Sequence, residues 1–187
     1  MFIRSERLFL RPGWPEDWSE VFAQIADEAV TRNLADGPMP KAESTITSDS
    51  ATDMDARCPS FLITLPGAQG AQLVGCIGLR RSDDGVELGY WIGHAHWGRG
   101  FATEAARAVL SLAATLGHRR ILARHFTDNP ASGRVLCKLG FAATGLVREN
   151  FSQARGATTS STTLALELGE PGDCDGRMRE PIGLRAA

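Results

Sequence analysis

The spacing of apolar positions divides the chain into alternating strand-like and helix-like runs. "RLFLRP" is a short strand stopped by Pro12. "PEDWSEVFAQIAD" opens with proline and acids, then places Trp18, Val21, Phe22 and Ile25 at helical spacing. "GPMPKAESTITSDSATDMDARCP" is polar and weakly patterned, with a helix expected near 43–57 and a stop at Pro59. "FLITL", "AQLVGCIGLRRS" and "GVELGYWIG" read as three strands of an antiparallel meander, divided by Pro66-Gly67 and by "SDDG", whose Asp84-Gly85 is a hairpin signal. From Phe101 the period becomes helical: Ala102, Ala105, Ala106, Val109, Leu110 and Leu112 continue to a stop at Gly117-His118. "RRILARHF" is a strand, "NPASGRVLCKLG" a short helix closed by Gly140, "FAATGLV" a strand and "STTLALEL" the last one. The division expected is a domain over 1–168 and a Pro/Gly/charge-rich tail over 169–187.

Composition narrows the partners. A chain of 187 residues with 43% hydrophobic residues and a net charge of −2 fits one globular domain and gives no reason to expect a nucleic-acid or membrane-surface partner. Charges at Arg4, Glu6, Arg7 and Arg11 break what would be the apolar region of a signal peptide, and no apolar run reaches the roughly 18 residues of a membrane span. Cys58, Cys76, Cys137 and Cys174 show no paired spacing, which points to reduced thiols in a cytoplasmic protein rather than a disulfide framework or zinc site. His94 and His96 are two apart with no third ligand in sight, so they read as exposed loop residues and no metal is expected.

The stretch "HWGRGFATEA" carries candidate chemistry. Gly98 and Gly100 leave backbone N–H groups unscreened by Cβ, and the helix that follows aims its unpaired N-terminal donors at the same place, which suits an anion. A Walker A loop would need Gly-Lys-Ser/Thr, which is absent. A dinucleotide fingerprint would need a third glycine where Thr103 stands, and antiparallel strands precede the loop here.

"RLFLRP", "LVGCIGL", "ELGYWIG", "WGRGFATEA", "NPAS" and "KLGF", in this order and spacing, resemble the GNAT superfamily of acyl-CoA N-acyltransferases, in its Rim-type branch of ribosomal-protein N-terminal acetyltransferases, over residues 5–168. The resemblance implies an α/β (α+β) fold, a mixed, strongly twisted sheet of about six to seven strands with about four helices, splayed where the strands holding Trp91 and Ile121 diverge. Acetyl-CoA would occupy the opening. Gly98, Arg99, Gly100, Phe101, Ala102 and Thr103 would then face its pyrophosphate. Trp97 stands where the wider superfamily usually has Gln or Arg, as this branch tolerates. A bulge in the strand would free main-chain groups of Tyr90, Trp91 and Ile92 for the pantetheine and the oxyanion.

Acetyl transfer to an amine also needs a proton for the departing thiolate and a path for the proton the amine loses. Many members use a tyrosine from the Asn-led helix as the acid, but that position holds Leu136, and Tyr90 is the only tyrosine. The branch's "N-x-x-S" falls on Asn129 and Ser132, making Ser132 the candidate acid or sulfur donor and Asn129 a cofactor-amide contact. Both also suit a helix start, Asn129 as N-cap before Pro130. Glu87 and Glu149 are the candidate bases, with a water chain as the other route; Glu104 suits the first turn of its helix as a structural carboxylate. After Gly156 the branch often carries an aspartate and a tyrosine, where this chain has Ser160 and Leu164, so the acceptor side is altered. The implied activity is acetyl transfer to a primary amine, of a protein N-terminus or a small molecule. The alternative is a non-catalytic acyl-CoA-binding module. The oligomeric state is left open by the sequence, with a homodimer through the final strand or the tail as one candidate assembly.

Overall fold

A computed structural model describes residues 1–34, 56–68, 70–152 and 154–169. The helix expected near 43–57 falls almost entirely outside these residues, as does the tail beyond Gly169. The strands are β1 (Ile3–Arg4), β2 (Phe9–Arg11), β3 (Ser60–Leu65), β4 (Gln72–Ser82), β5 (Gly85–Ile92), β6 (Arg120–Phe126), β7 (Ala142–Ser152) and β8 (Ala157–Glu167). The helices are α1 (Trp18–Ile25), α2 (Glu28–Thr31), α3 (Phe101–Thr115) and α4 (Pro130–Lys138). The eight strands form one sheet in the order β1-β2-β3-β4-β5-β6-β8-β7, more strands than the sequence suggests because Ile3–Arg4 adds an edge and both meander and terminal hairpin join the same sheet.

Every neighbouring pair is antiparallel except β5 and β6, which run parallel and pair only at Glu87 and Leu122. Beyond that point the two strands diverge, which opens the sheet at its centre. The first β5 strand edge is held firmly: β4 and β5 stay in register from Gly75 opposite Ile92 to Ser82 opposite Gly85. Gly75 of "LVGCIGL" serves this closeness, since a Cβ there would collide with the Trp91 carbonyl, while Gly78 makes room for Ser60 of β3 on the other side. The hairpin turn lies on Asp83-Asp84, one residue before the Asp84-Gly85 signal, with Gly85 opening β5 at φ 132°.

Strand alternation sorts the core into two layers. Leu88 and Ile92 join Ile77, Leu79, Ile121 and Ala123 beneath Phe101, Ala105, Ala106, Val109 and Leu110 of α3. On the other face Trp91 packs with Val21 and Ile25 of α1, Val30 of α2, Leu62 and Leu73. Helix α1 begins after a 3-10 turn at Pro15–Asp17, where the Asp17 carboxylate accepts the Trp14 N–H at 2.8 Å and a bidentate pair from Arg11 at 2.6 Å. Helix α3 ends as its glycine signal requires: Gly117 takes φ 82° and the His118 N–H donates to the Ala113 carbonyl at 3.0 Å.

The final strand β8 is paired on both sides, by β6 and β7, so the free edge at this end of the sheet belongs to β7. Among the described residues, no helix is long and apolar enough to cross a membrane.

Candidate functional site

The divergence of β5 from β6 opens onto a cavity of about 360 Å³. Its walls bring together Tyr90, Trp91 and Ile92 of β5, Trp97, Gly98 and Gly100 of the glycine loop, Phe101, Ala102 and Thr103 of α3, and Asn129 and Ser132 of α4. These are the cofactor-side residues singled out in the sequence, apart from Arg99. The sequence reading missed Val30, Asn33 and Leu34 at one end, His96 in the middle, and Arg134 and Lys138 on α4. The cationic pair has a signal in hindsight, because positions four apart on a helix face the same way.

The loop owes its shape to positive backbone angles. Gly98 has φ 74° and Gly100 φ 80°, where a Cβ is disfavoured, and Gly100 is the N-cap of α3. The first-turn N–H groups of α3 have no partner within the helix and lie along the cavity wall. The loop is fixed from outside by Arg7, whose Nη1 donates to the Arg99 carbonyl at 3.1 Å and whose Nε donates to Glu104 at 2.8 Å. The Glu104 carboxylate also accepts from the Ser5 hydroxyl and the Arg7 N–H, both at 2.7 Å. Burial opposes the charge on Glu104, yet these bonds and the Arg7 cation outweigh it and hold the carboxyl below its usual range. The guanidinium groups of Arg7 and Arg99 both stand over the Phe101 ring, 4.8 and 4.7 Å from its centre.

Arg99 itself turns toward His96, with its Nη1 3.4 Å from His96 Nδ1, and does not line the cavity. His96 is buried rather than exposed, because the 3-10 turn at His94–His96 folds it under the loop. Burial, and then the Arg99 charge, hold its pKa below the ordinary histidine value, so the ring is neutral at pH 7. His94 is exposed and bonded to Asp27 at 3.0 Å. Among the described residues, no group of three His, Cys, Asp or Glu side chains is placed to hold a metal ion. Trp97 anchors the loop to β5, its indole N–H donating to the Ile92 carbonyl at 2.7 Å.

No register shift separates β4 from β5, so the bulge expected there is absent from this pairing. The splay does the same work: past Glu87 the β6-facing edge of β5 has no strand partner, and its main-chain groups face the opening.

Helix α4 is capped by Asn129, whose Oδ1 accepts the Ser132 N–H and whose Nδ2 donates to Ser132 Oγ, each at 3.2 Å. With its oxygen accepting from Asn129, the Ser132 hydroxyl can still donate to another group. The Tyr90 hydroxyl stands 3.5 Å from the Ser132 carbonyl, and burial raises its pKa to about 12, so the phenol stays protonated. Leu136, at the position of the family's acid, is buried in the core.

The carboxylates fall elsewhere. Glu87 is buried beside Arg124, which donates to it at 2.9 and 2.7 Å, and Arg80, at 3.2 Å. Burial favours its neutral form, but the Arg124 bonds and the charges of Arg80 and Arg124 prevail and hold its pKa below the usual carboxylate range. Glu149 is exposed on β7 and accepts from the Ser160 hydroxyl. Neither lines the cavity; the described residues that do include no carboxylate. Of the tryptophans, Trp91 and Trp97 line the cavity, Trp18 packs with Trp91 in the core, and Trp14 lies outside against Arg11 and Phe2.

Comparison with known proteins gives this arrangement its family. Residues 7–142 match the model described as "Acetyltransferase (GNAT) domain". An uncharacterized N-acetyltransferase of Bacillus subtilis, YoaA, is 34% identical over 158 residues, covering 81% of this chain and 88% of that protein. The ribosomal-protein-serine acetyltransferase of Escherichia coli is 30% identical over 82 residues, 42% of this chain and 46% of that protein. A GNAT-family acetyltransferase structure from Bacillus anthracis superposes with a TM-score of 0.71 at 25% identity, over 89% of this chain and 98% of that one. The structure of Mycobacterium smegmatis RimJ in complex with CoA-disulfide gives 0.70 at 23% identity, over 86% of this chain and 81% of that one, a likeness of fold. With most of its length matched by the family model and a relative above 30% identity across it, this chain belongs to the GNAT acetyltransferase family.

Proposed function

We propose that this acetyltransferase moves an acetyl group from acetyl-CoA to a primary amine, of a protein N-terminus or a small molecule, by direct attack in a ternary complex. The observation that carries the proposal is the joining, in one cavity, of an anion-suited glycine loop and a serine hydroxyl whose proton is free to donate.

The fit to acetyl-CoA is chemical. Gly98, Gly100 and the first-turn N–H groups of Phe101, Ala102 and Thr103 would receive the pyrophosphate, aided by the positive end of α3. Arg134 and Lys138 of α4 add cations to the cavity lining. The free edge of β5 at Tyr90, Trp91 and Ile92 would bond the pantetheine amides, with a main-chain N–H aimed at the thioester oxygen. Asn129 would assist as an amide contact while it orients Ser132.

The neutral amine attacks the thioester carbon, forming the C–N bond. Collapse of the tetrahedral intermediate breaks the C–S bond, and the electron pair leaves on sulfur. Ser132 donates to that sulfur, and its hydroxyl recovers a proton from solvent. The proton lost by the amine leaves through water, because Glu87 is committed to Arg124 and Arg80 and Glu149 lies on the exposed face of the terminal hairpin. In this reading Glu87 holds the β4, β5 and β6 side chains in place rather than acting as the base.

Ser132→Ala is expected to lower kcat on the order of 100-fold, the scale of a lost proton donor, with the acetyl-CoA Kd by calorimetry within about twofold of the parent. Equal loss in both would make Ser132 a binding residue. The overall proposal is tested by thiol release from acetyl-CoA across N-terminal peptides, amino acids, polyamines and aminoglycosides. Release with one acceptor class establishes the reaction and its substrate; silence across the panel with acetyl-CoA still bound would favour the non-catalytic binding module.

A further inference from the structure

The cavity is lined by segments far apart in the chain, and one side chain ties several of their neighbours together. Arg155, in the turn between β7 and β8, donates from Nε to the Arg32 carbonyl at 2.7 Å. Its Nη1 and Nη2 donate to the two oxygens of Asp128 at 2.6 and 3.0 Å. The guanidinium carbon stands 4.4 Å from the centre of the Phe126 ring. The Arg155 side chain is 15% exposed and the Asp128 side chain 46%, so the ion pair is half solvated and the ring and carbonyl contacts carry the buried part of the arginine.

Arg32 and Asp128 do not line the cavity themselves but stand next to residues that do, and Phe126 lies on β6. Arg32 is the C-cap of α2, between Val30 on one side and Asn33 and Leu34 on the other, all lining residues. Asp128 immediately precedes Asn129, which caps α4 and orients Ser132. Phe126 ends β6, the strand that diverges from β5. The Arg32 guanidinium itself stands 4.0 Å from Asp128, so two cations converge on one carboxylate. Asp128 is held below the usual carboxylate range, first by its bond to Arg155.

We infer that Arg155 is a positioning residue: it locks the α2 wall and the terminal hairpin to the Asn129–Ser132 cap, fixing the acceptor end of the cavity relative to the reacting carbonyl. The inference rests on the acetyl-transfer reading for its kinetic consequence, while the geometry it describes can be tested without turnover. A planar fork that bonds a carboxylate and a carbonyl while lying on a ring is specific to arginine, so lysine is a poor substitute. An offset of about 1 Å in the acceptor wall is enough to slow a bimolecular transfer on the order of 100-fold.

The experiment uses the full chain with Arg155→Gln, Arg155→Lys and Asp128→Asn. Amide hydrogen exchange is followed at Asn33, Leu34 and Ser132, whose N–H groups bond Val30, Thr31 and Asn129 respectively. Acetyl-CoA affinity is measured by calorimetry, and kinetics with the best acceptor from the thiol-release panel. Faster exchange at both the α2 end and Ser132 is expected in Arg155→Gln. Acceptor KM should rise and kcat fall, each about 10-fold, with acetyl-CoA affinity within about twofold. Arg155→Lys should recover less than half of the loss, and Arg155→Gln should cost less in the Asp128→Asn background than alone, because the shared ion pair is already gone while the Arg32 carbonyl and Phe126 contacts remain to be lost.

Exchange that quickens only at the hairpin tip, or not at all, would overturn the inference. So would a rise in acceptor KM matched by an equal loss of acetyl-CoA affinity, which marks general destabilisation. If no acceptor supports turnover in the parent protein, the acetyl-transfer reading fails by itself, and the exchange pattern still decides whether Arg155 locks these walls.

Discussion

Gly100→Asp is expected to weaken acetyl-CoA binding on the order of 100-fold. Gly100 has φ 80°, and its Cβ would stand 3.6 Å from Arg7 Nη2, so the side chain fits in space but not without backbone strain. A non-glycine residue in the left-handed region costs about 1–2 kcal/mol, somewhat less for aspartate, which tolerates it. A carboxylate about 5 Å from a phosphate adds about 1–3 kcal/mol of repulsion at a solvent-exposed cleft. Arg7 would answer part of that charge, but doing so draws its guanidinium from the Arg99 carbonyl and Glu104, the contacts that shape the loop. The total, about 3 kcal/mol, corresponds to a Kd change near 100-fold. Gly100→Ala isolates strain from charge and should cost about 10-fold or less. Calorimetry with acetyl-CoA reads both; equal losses would assign the whole effect to strain, and unchanged affinity would remove the loop from the cofactor site.

The loop was legible because its chemistry is local. Glycine spacing and the onset of helical period lie within ten residues, and the structure places Trp97, Gly98, Gly100, Phe101, Ala102 and Thr103 on one wall. The same is true of Asn129 and Ser132, where a cap is a relation between neighbours. The strands of the meander were legible from alternation, with boundaries within a residue or so. What pattern alone could not give was anything set by pairing across the sheet. The splay, not a bulge, frees the edge of β5, and that depends on where β6 departs after Leu122. Helix α2 is four residues long, too short to show a period, yet Val30 and its successors form one end of the cavity. His96 looked like a loop residue because burial under a 3-10 turn leaves no periodic trace. Arg155 and Asp128 carry no local signal, since 27 residues separate them.

Glu87 shows the same limit and supplies the second large effect. Glu87 and Trp91 are even-spaced along β5 and so share a face, but the partners that fix Glu87 lie on β4 and β6. Its side chain is 5% exposed, so removing a partner leaves a buried charge rather than a solvated one. Breaking a buried pair costs about 3–5 kcal/mol, and because Arg80 stays, Arg124→Ala is expected at the lower end, about 3 kcal/mol. For a chain of this size that lowers Tm by about 6–12 °C.

The pH dependence follows from the sign of the shift. In the parent protein the folded pKa of Glu87 is depressed, so its ionised form stabilises the fold above the unfolded value of about 4.3 and that contribution is lost as pH falls through the folded pKa. Without Arg124, burial becomes the dominant influence and the folded pKa moves above the unfolded one. The variant then carries a penalty at neutral pH that protonation relieves. The Tm difference between parent and Arg124→Ala should therefore be largest near pH 7 to 8 and shrink toward about pH 5. Glu87→Gln in the Arg124→Ala background should recover much of the loss at neutral pH, since the buried charge is gone. A Tm difference independent of pH would show that Arg124 acts through packing alone. Loss of turnover in Glu87→Gln, with Tm and acetyl-CoA affinity intact, would return the carboxylate to the role of base and displace water from it.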